Sequence, residues 1–156
     1  MRTVYDLQSA TRCEPREIPK GETLPQNNGR RFQNSLERAL RIACDRHGAE
    51  LIPEPWFEYL DTNGLGRCAP DFIIELGAIN LVIEAKLTFV PEAITKLHGL
   101  YLPVAIVAAS NWKTRGLVIC RNTTPAAPAP VFSITAALTV RDSVAVMLWR
   151  GGPVEW

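Results

Sequence analysis

Pro70-Asp71-Phe72-Ile73-Ile74-Glu75-Leu76-Gly77-Ala78-Ile79-Asn80-Leu81-Val82-Ile83-Glu84-Ala85-Lys86 is the stretch whose reading decides the fold. Gly77-Ala78 reads as a two-residue hairpin loop, with glycine at the position where a type II′ turn needs positive φ. The register then follows: Leu76 faces Ile79, Ile74 faces Leu81, Phe72 faces Ile83 and Asp71 faces Glu84. Side chains alternate between the faces of a strand. One face therefore carries Phe72, Ile74, Leu76, Ile79, Leu81, Ile83 and Ala85 and belongs to a core. The other carries Asp71, Ile73, Glu75, Asn80, Val82, Glu84 and Lys86.

Upstream, Phe32, Leu36, Leu40 and Ala43 recur at spacings of three and four, which predicts a helix over 30–47 with Gly48 as its stop. Residues 49–60 have strand-like composition despite Pro53 and Pro55, which suit an edge or a bulge, and Asp61-Thr62-Asn63-Gly64 is a turn. Downstream, Pro91 suits the first turn of a helix over 91–101. The apolar run 104–109 reads as a buried strand and 116–120 as another; 131–139 and 143–149 read as a closing strand pair. Residues 1–29, broken by Pro15, Pro19, Gly21, Pro25 and Asn27-Asn28-Gly29, read as a polar arm ahead of one domain, 30–156. The order is that of a mixed α/β domain.

Composition bounds the function. The chain has 156 residues, 47% hydrophobic and 21% charged, enough for one domain with its own core. No apolar run is long enough for a membrane helix, and no apolar stretch near the start reads as a secretory signal, so a cytoplasmic protein is expected. Cys13, Cys44, Cys68 and Cys120 show no metal-binding spacing and read as reduced, mostly buried thiols. The net charge of +1 argues against binding DNA by bulk positive charge. Its distribution is uneven: +2 over residues 1–50, −4 over 51–110 and +3 over 111–156.

Two carboxylates opposite one another on antiparallel strands repel unless something compensates. A divalent cation is the natural compensator, since carboxylate oxygens suit Mg²⁺. Lys86, two residues beyond Glu84, projects from the same face. Two carboxylates, a metal and an ammonium can attack a phosphodiester. From the residues alone, a solvated outer face neutralised by one lysine is an equal alternative.

Pro70-Asp71, twelve intervening residues and Glu84-Ala85-Lys86 resemble the signature of the PD-(D/E)xK nuclease superfamily. The predicted elements around them, over about residues 30–110, resemble its restriction-endonuclease-like αβββαβ core. Within the superfamily the layout is similar to phage endonuclease I-type Holliday junction resolvases. The resemblance implies that Asp71 and Glu84 ligate Mg²⁺ or Mn²⁺, with the Ala85 carbonyl, and that Lys86 is the catalytic lysine. It makes Glu37 the candidate helix glutamate, against the alternative of an ion pair with Arg41 at i+4. Glu58 and Glu75 are weaker candidates for roles around the site, against the favoured alternative that both are plain surface residues.

The resemblance also implies DNA as partner, a homodimer to cut two strands, and a bacterial or phage-infected cell as setting. Candidate DNA contacts are Lys113 and Arg115 in the loop 110–116, with Trp112 placed to stack on a base, and Arg30 and Arg31 on the first helix. An ordinary exposed turn and a solvated helix face are the alternatives. Lys96 can approach the site; His98 is assigned no role. The expected activity is metal-dependent endonucleolytic cleavage of branched or junction DNA. The rivals are a restriction or repair nuclease on linear duplex and a non-catalytic nucleic-acid-binding module that keeps the fold.

Overall fold

The computed structural model describes residues 3–15 and 24–156. Its elements in chain order are β1 (Ser9–Cys13), α1 (Leu24–His47), β2 (Glu50–Pro53), β3 (Trp56–Asp61), β4 (Gly64–Cys68), β5 (Phe72–Leu76) and β6 (Ile79–Thr88). There follow α2 (Pro91–Lys96), a π-helical turn (Leu97–Tyr101), α3 (Leu102–Ala109), β7 (Thr114–Asn122), α4 (Ile134–Thr139) and β8 (Val144–Leu148). A five-stranded mixed sheet has the order β2-β5-β6-β7-β8, and a three-stranded antiparallel sheet the order β1-β3-β4.

The central hairpin has the expected register: Leu76 pairs with Ile79, Ile74 with Leu81 and Phe72 with Ile83. Gly77 turns the corner at φ +59°, the conformation the loop required of glycine. Beyond the hairpin, β6, β7 and β8 run parallel. The sheet is covered on both faces, as parallel sheets generally are. Leu36 and Leu40 of α1 pack with Ile74, Leu81 and Ile83 on one face. On the other, Ile73 and Val82 meet Leu97, Leu100 and Val104 from the helical segment 91–109, with Phe57 and Tyr59 from the small sheet. The second hairpin face is therefore not a solvated polar surface; only its two ends carry charge.

Several elements depart from the sequence reading. Residues 104–109 form α3, not a strand. A six-residue apolar run does not distinguish a buried strand from a buried helix, and here it continues the helix begun at Pro91. Pro103 sits inside that continuous segment, where it lacks an N–H and crowds the carbonyl four residues back. That carbonyl, of Gly99, lies in the π turn and instead accepts a bond from the Val4 amide at 2.9 Å.

The closing strand pair is also corrected. Val131 makes a single parallel bridge with Met147, Ile134–Thr139 is a helix, and β8 pairs with β7 instead. The Ser133 side chain caps α4 by accepting from the Ala136 amide at 3.1 Å. The amides of Ile134 and Thr135 donate to the Glu155 and Trp156 carbonyls, so the terminal segment satisfies the helix start.

α1 begins at Leu24 rather than Arg30, because Pro25 stands in its first turn, where a missing N–H costs nothing. It stops as expected at Gly48, φ +64°, where the Ala49 amide reaches the Cys44 carbonyl at 3.0 Å. The lead-in read as an arm contains β1, which adds an edge strand to β3. Residues 1–2 and 16–23 of that arm lie outside the described residues. The stretch 49–60 is two strands in two sheets, separated by Glu54 at φ +43° between two prolines, and 64–68 adds a strand. All four cysteines are free, three of them buried, and no described helix is long and apolar enough to cross a membrane.

Candidate metal and phosphoryl-transfer site

Asp71 lies one residue before β5, where the chain parts from β6. Its amide still donates to the Ile83 carbonyl at 3.1 Å, and its own carbonyl accepts from Glu54 at the β2–β3 junction at 2.8 Å. The side chain then takes over the ladder: Asp71 Oδ2 accepts from the Ala85 amide at 2.7 Å. Within a strand the N–H and C=O of one residue point to the same side. The Ala85 carbonyl is thus directed toward the Asp71 side of β6.

Glu84, one step earlier on β6, is only 3% exposed. An isolated carboxylate at that depth is strongly disfavoured. Two ammonium groups hold it, Lys86 Nζ at 3.2 Å and Lys96 Nζ at 3.5 Å, both on Oε1. Lys96 ends α2 and lies 4.9 Å from the ring centre of Tyr101, a cation–π contact that fixes its head. The Tyr101 hydroxyl donates to the Ala69 carbonyl at 3.0 Å, tying the π turn to the Pro70-Asp71 corner.

Burial, with the neighbouring Glu84 carboxylate adding, pushes the Asp71 carboxyl up from 3.8 to about 7. The Ala85 amide and the two lysines pull the other way. Tyr101 is pushed above its ordinary range by burial and by the same two carboxylates. Cys68, on the strand leading to the corner, is raised by burial to about 12, which removes it as a nucleophile.

A cleft of about 460 Å³, bordered by Tyr59, Arg67, Lys86, Glu92 and Lys96, opens beside the two ammonium groups. Asp71, Glu84, Lys86 and the Ala85 backbone are thus brought together as the sequence anticipated, and Lys96 joins them. Among the described residues, no group of three or more His, Cys, Asp or Glu is placed to hold a metal. Two carboxylates and a carbonyl do not make an all-protein cage. They fit Mg²⁺, which commonly takes one or two carboxylates and keeps several waters. Burial first, and the Glu84 charge second, raise the Asp71 pKa; a divalent cation would offset both.

Other candidates lie elsewhere. Glu37 pairs with Arg41 at 2.8 Å on α1, the i+4 alternative. Glu58 is engaged by Arg67 at 3.0 Å, and Glu75 is exposed opposite Glu50. The 111–113 loop sits at the hairpin tip, where the Asn111 side-chain amide donates to the Ala78 carbonyl at 3.1 Å and the Asn80 amide to the Lys113 carbonyl at 3.1 Å. Asn80 precedes Glu84 by four residues, roughly 13 Å along the strand. Trp112 is 85% exposed, and Arg115 donates to the Val140 carbonyl at 3.0 Å. Lys113 and Arg115 therefore do not adjoin the carboxylates. Arg30 is exposed on α1, and Arg31 borders a cavity that neither Asp71 nor Glu84 lines. His98 touches Ser143 at 3.4 Å.

Tyr101 was not legible in the sequence. Its distance from Lys96 suits contact only because a π turn intervenes. Comparison with protein-family models, with curated proteins and with solved structures finds no match to this chain.

Proposed function

We propose that the chain is a metal-dependent endodeoxyribonuclease of the PD-(D/E)xK type, with branched or junction DNA as its preferred substrate class. The observation that carries the reading is the buried Glu84, held by Lys86 and Lys96 directly beside Asp71. The chain spends two lysines and a raised pKa to keep two carboxylates adjacent, a costly arrangement for a purely structural hairpin. The order of α1, β2, β5, β6, the segment 91–109 and β7, with β3–β4 as an insertion, agrees with an αβββαβ core and supports the same reading.

Asp71, Glu84 and the Ala85 carbonyl would hold Mg²⁺ or Mn²⁺. Bound there, such an ion would supply polarisation of a phosphoryl oxygen and a water of lowered pKa. Lys86, facing the cleft, stabilises negative charge developing on the phosphate or orients the attacking water. Lys96 stays on Glu84 Oε1 as its ion-pair partner when Lys86 turns toward substrate. Tyr101 positions Lys96 through its ring and the Asp71 corner through its hydroxyl. A homodimer would supply one such site per strand of a two-strand substrate.

One observation favours a second reading. Two carboxylates and two ammonium groups already balance, which suits a nucleic-acid-binding module that keeps the fold without chemistry. Digestion of linear, nicked, single-stranded and four-way-junction DNA with Mg²⁺ or Mn²⁺ separates the two. The proposal expects cleavage of branched DNA that Lys86→Ala abolishes. Cleavage unchanged by that substitution removes the site assignment, equal cutting of linear duplex removes the junction preference, and binding without cutting favours the module.

A further inference from the structure

A second basic site lies on the opposite face of the sheet. Arg31 of α1, Arg121 near the end of β7 and Arg150 just after β8 border one cavity of about 440 Å³. Neither aspartate nor glutamate is among the residues lining it. All three arginines are exposed, and none pairs with a carboxylate among the described residues. They come from three elements distant in sequence, so the fold gathers them rather than a local charge run. Guanidinium groups gathered around one concavity repel, and the surplus charge there favours an anion. Their planar forks suit phosphate oxygens in particular.

The cavity has a fixed wall. Phe32 and Trp149 pack with ring centres 5.8 Å apart, and the Trp149 indole N–H donates to the Gly152 carbonyl at 3.1 Å. Arg150 Nε donates to the Arg121 carbonyl at 3.3 Å, which holds that guanidinium beside β7. Both features order the site before any ligand arrives.

Its position relative to the carboxylates follows from the register. Lys86 pairs with Cys120, and Arg121 is the next residue. Their α-carbons therefore stand roughly 6 Å apart, one strand over and one residue along. Alternation sends Lys86 to the Glu84 face, and Leu87 and Arg121 to the α1 face, so the two basic sites meet at the rim where the parallel strands end. A free phosphate fills one site only. A phosphodiester chain crossing that rim engages both.

We propose that the Arg31–Arg121–Arg150 cavity binds a backbone phosphate of the nucleic-acid strand whose neighbouring phosphodiester reaches Lys86. The inference rests on the nuclease reading for the strand's direction, but not on any chemistry occurring. The experiment is a metal-free binding titration of a short labelled duplex and of a four-way junction at several salt concentrations. It compares wild type, the double variant Arg121→Ala/Arg150→Ala and the double variant Arg121→Lys/Arg150→Lys, with melting curves to check folding.

The alanine pair is expected to weaken binding about tenfold or more on every sequence and to lower the magnitude of the salt slope by about 1, the loss of one phosphate contact. The lysine pair keeps most of the slope. Unchanged affinity and slope in the alanine pair overturn the proposal, as does a wild type that takes up inorganic phosphate at these arginines while DNA binding ignores them. If DNA binding depends on the arginines and no metal yields cleavage, the cavity stands and the nuclease reading falls. If the alanine pair binds as wild type while cleavage proceeds, the reverse holds.

Discussion

The two ends of the β6–β7 pair both carry polar and basic groups, yet they are built on different physics. At the hairpin tip, Asn111, Lys113 and Asn80 exchange backbone and amide hydrogen bonds, and Trp112 stands in solvent. Nothing there is forced to be charged. At the other end Glu84 is buried, two ammonium groups hold it, and a second carboxyl beside it is driven toward neutrality. Local bonding satisfies the first end. The second keeps a buried carboxyl with a raised pKa beside an ion-paired one, and such perturbed groups cluster at functional sites.

The largest difference should appear in activity. Lys86→Ala is expected to lower DNA cleavage by about 10²–10³ or more, the scale of losing a donor aimed at developing charge. Lys113→Ala should stay within a few-fold. Cleavage rates under saturating substrate compare the two directly, and equal losses would erase the distinction between the ends.

Stability against pH sharpens it next. The folded protein holds the Asp71 proton between about pH 4 and 7, where the unfolded chain has lost it. The raised pKa therefore makes the metal-free protein more stable at the acid end of that window, and stability falls as pH rises toward 7. The slope is at most about 1.4 kcal/mol per pH unit from this group. Asp71→Asn, whose carbonyl can still accept from Ala85, should flatten that dependence and stabilise the metal-free protein near neutrality by about 1–2 kcal/mol. Chemical denaturation across the window measures both.

Smaller effects test the supports. Tyr101→Phe loses the bond to Ala69 and is expected to cost about 1 kcal/mol, with a loss of cleavage from the loosened Lys96 and Asp71 corner. Trp112→Ala should change stability by no more than about 0.5 kcal/mol, because the ring buries almost nothing.

The hairpin register and the grouping of Asp71, Glu84 and Lys86 at one end were legible because period-two alternation and a Gly77 turn fix which residues share a face. What covers that face was not, because no local pattern says that Tyr59 and Leu100 lie over Val82. The run at 104–109 was misread for a related reason. The outer face of α3 is also apolar, at the exposed Val107 and Ala109, so the run lacks the amphipathic stripe that distinguishes a helix, and Pro103 just after its start reads as a breaker. The segment 131–139 holds a helix that starts at the Ser133 cap, and its β-branched residues suit a strand as well. Arg121 and Arg150 attract no notice in sequence, being single basic residues at strand ends that only parallel pairing brings together. Gly116 shows the same dependence on fold: a Cβ there would lie 2.9 Å from Val144 on the neighbouring strand.

Calorimetric titration with Mn²⁺ at mildly alkaline pH, on wild type, Asp71→Asn and Glu84→Gln, asks whether the two carboxylates hold a divalent cation. Wild type is expected to bind, more weakly toward acid pH as Asp71 takes up its proton, and both variants are expected to lose that binding. Mn²⁺ affinity that survives either substitution, or that is absent from wild type, would contradict a metal site at these two carboxylates.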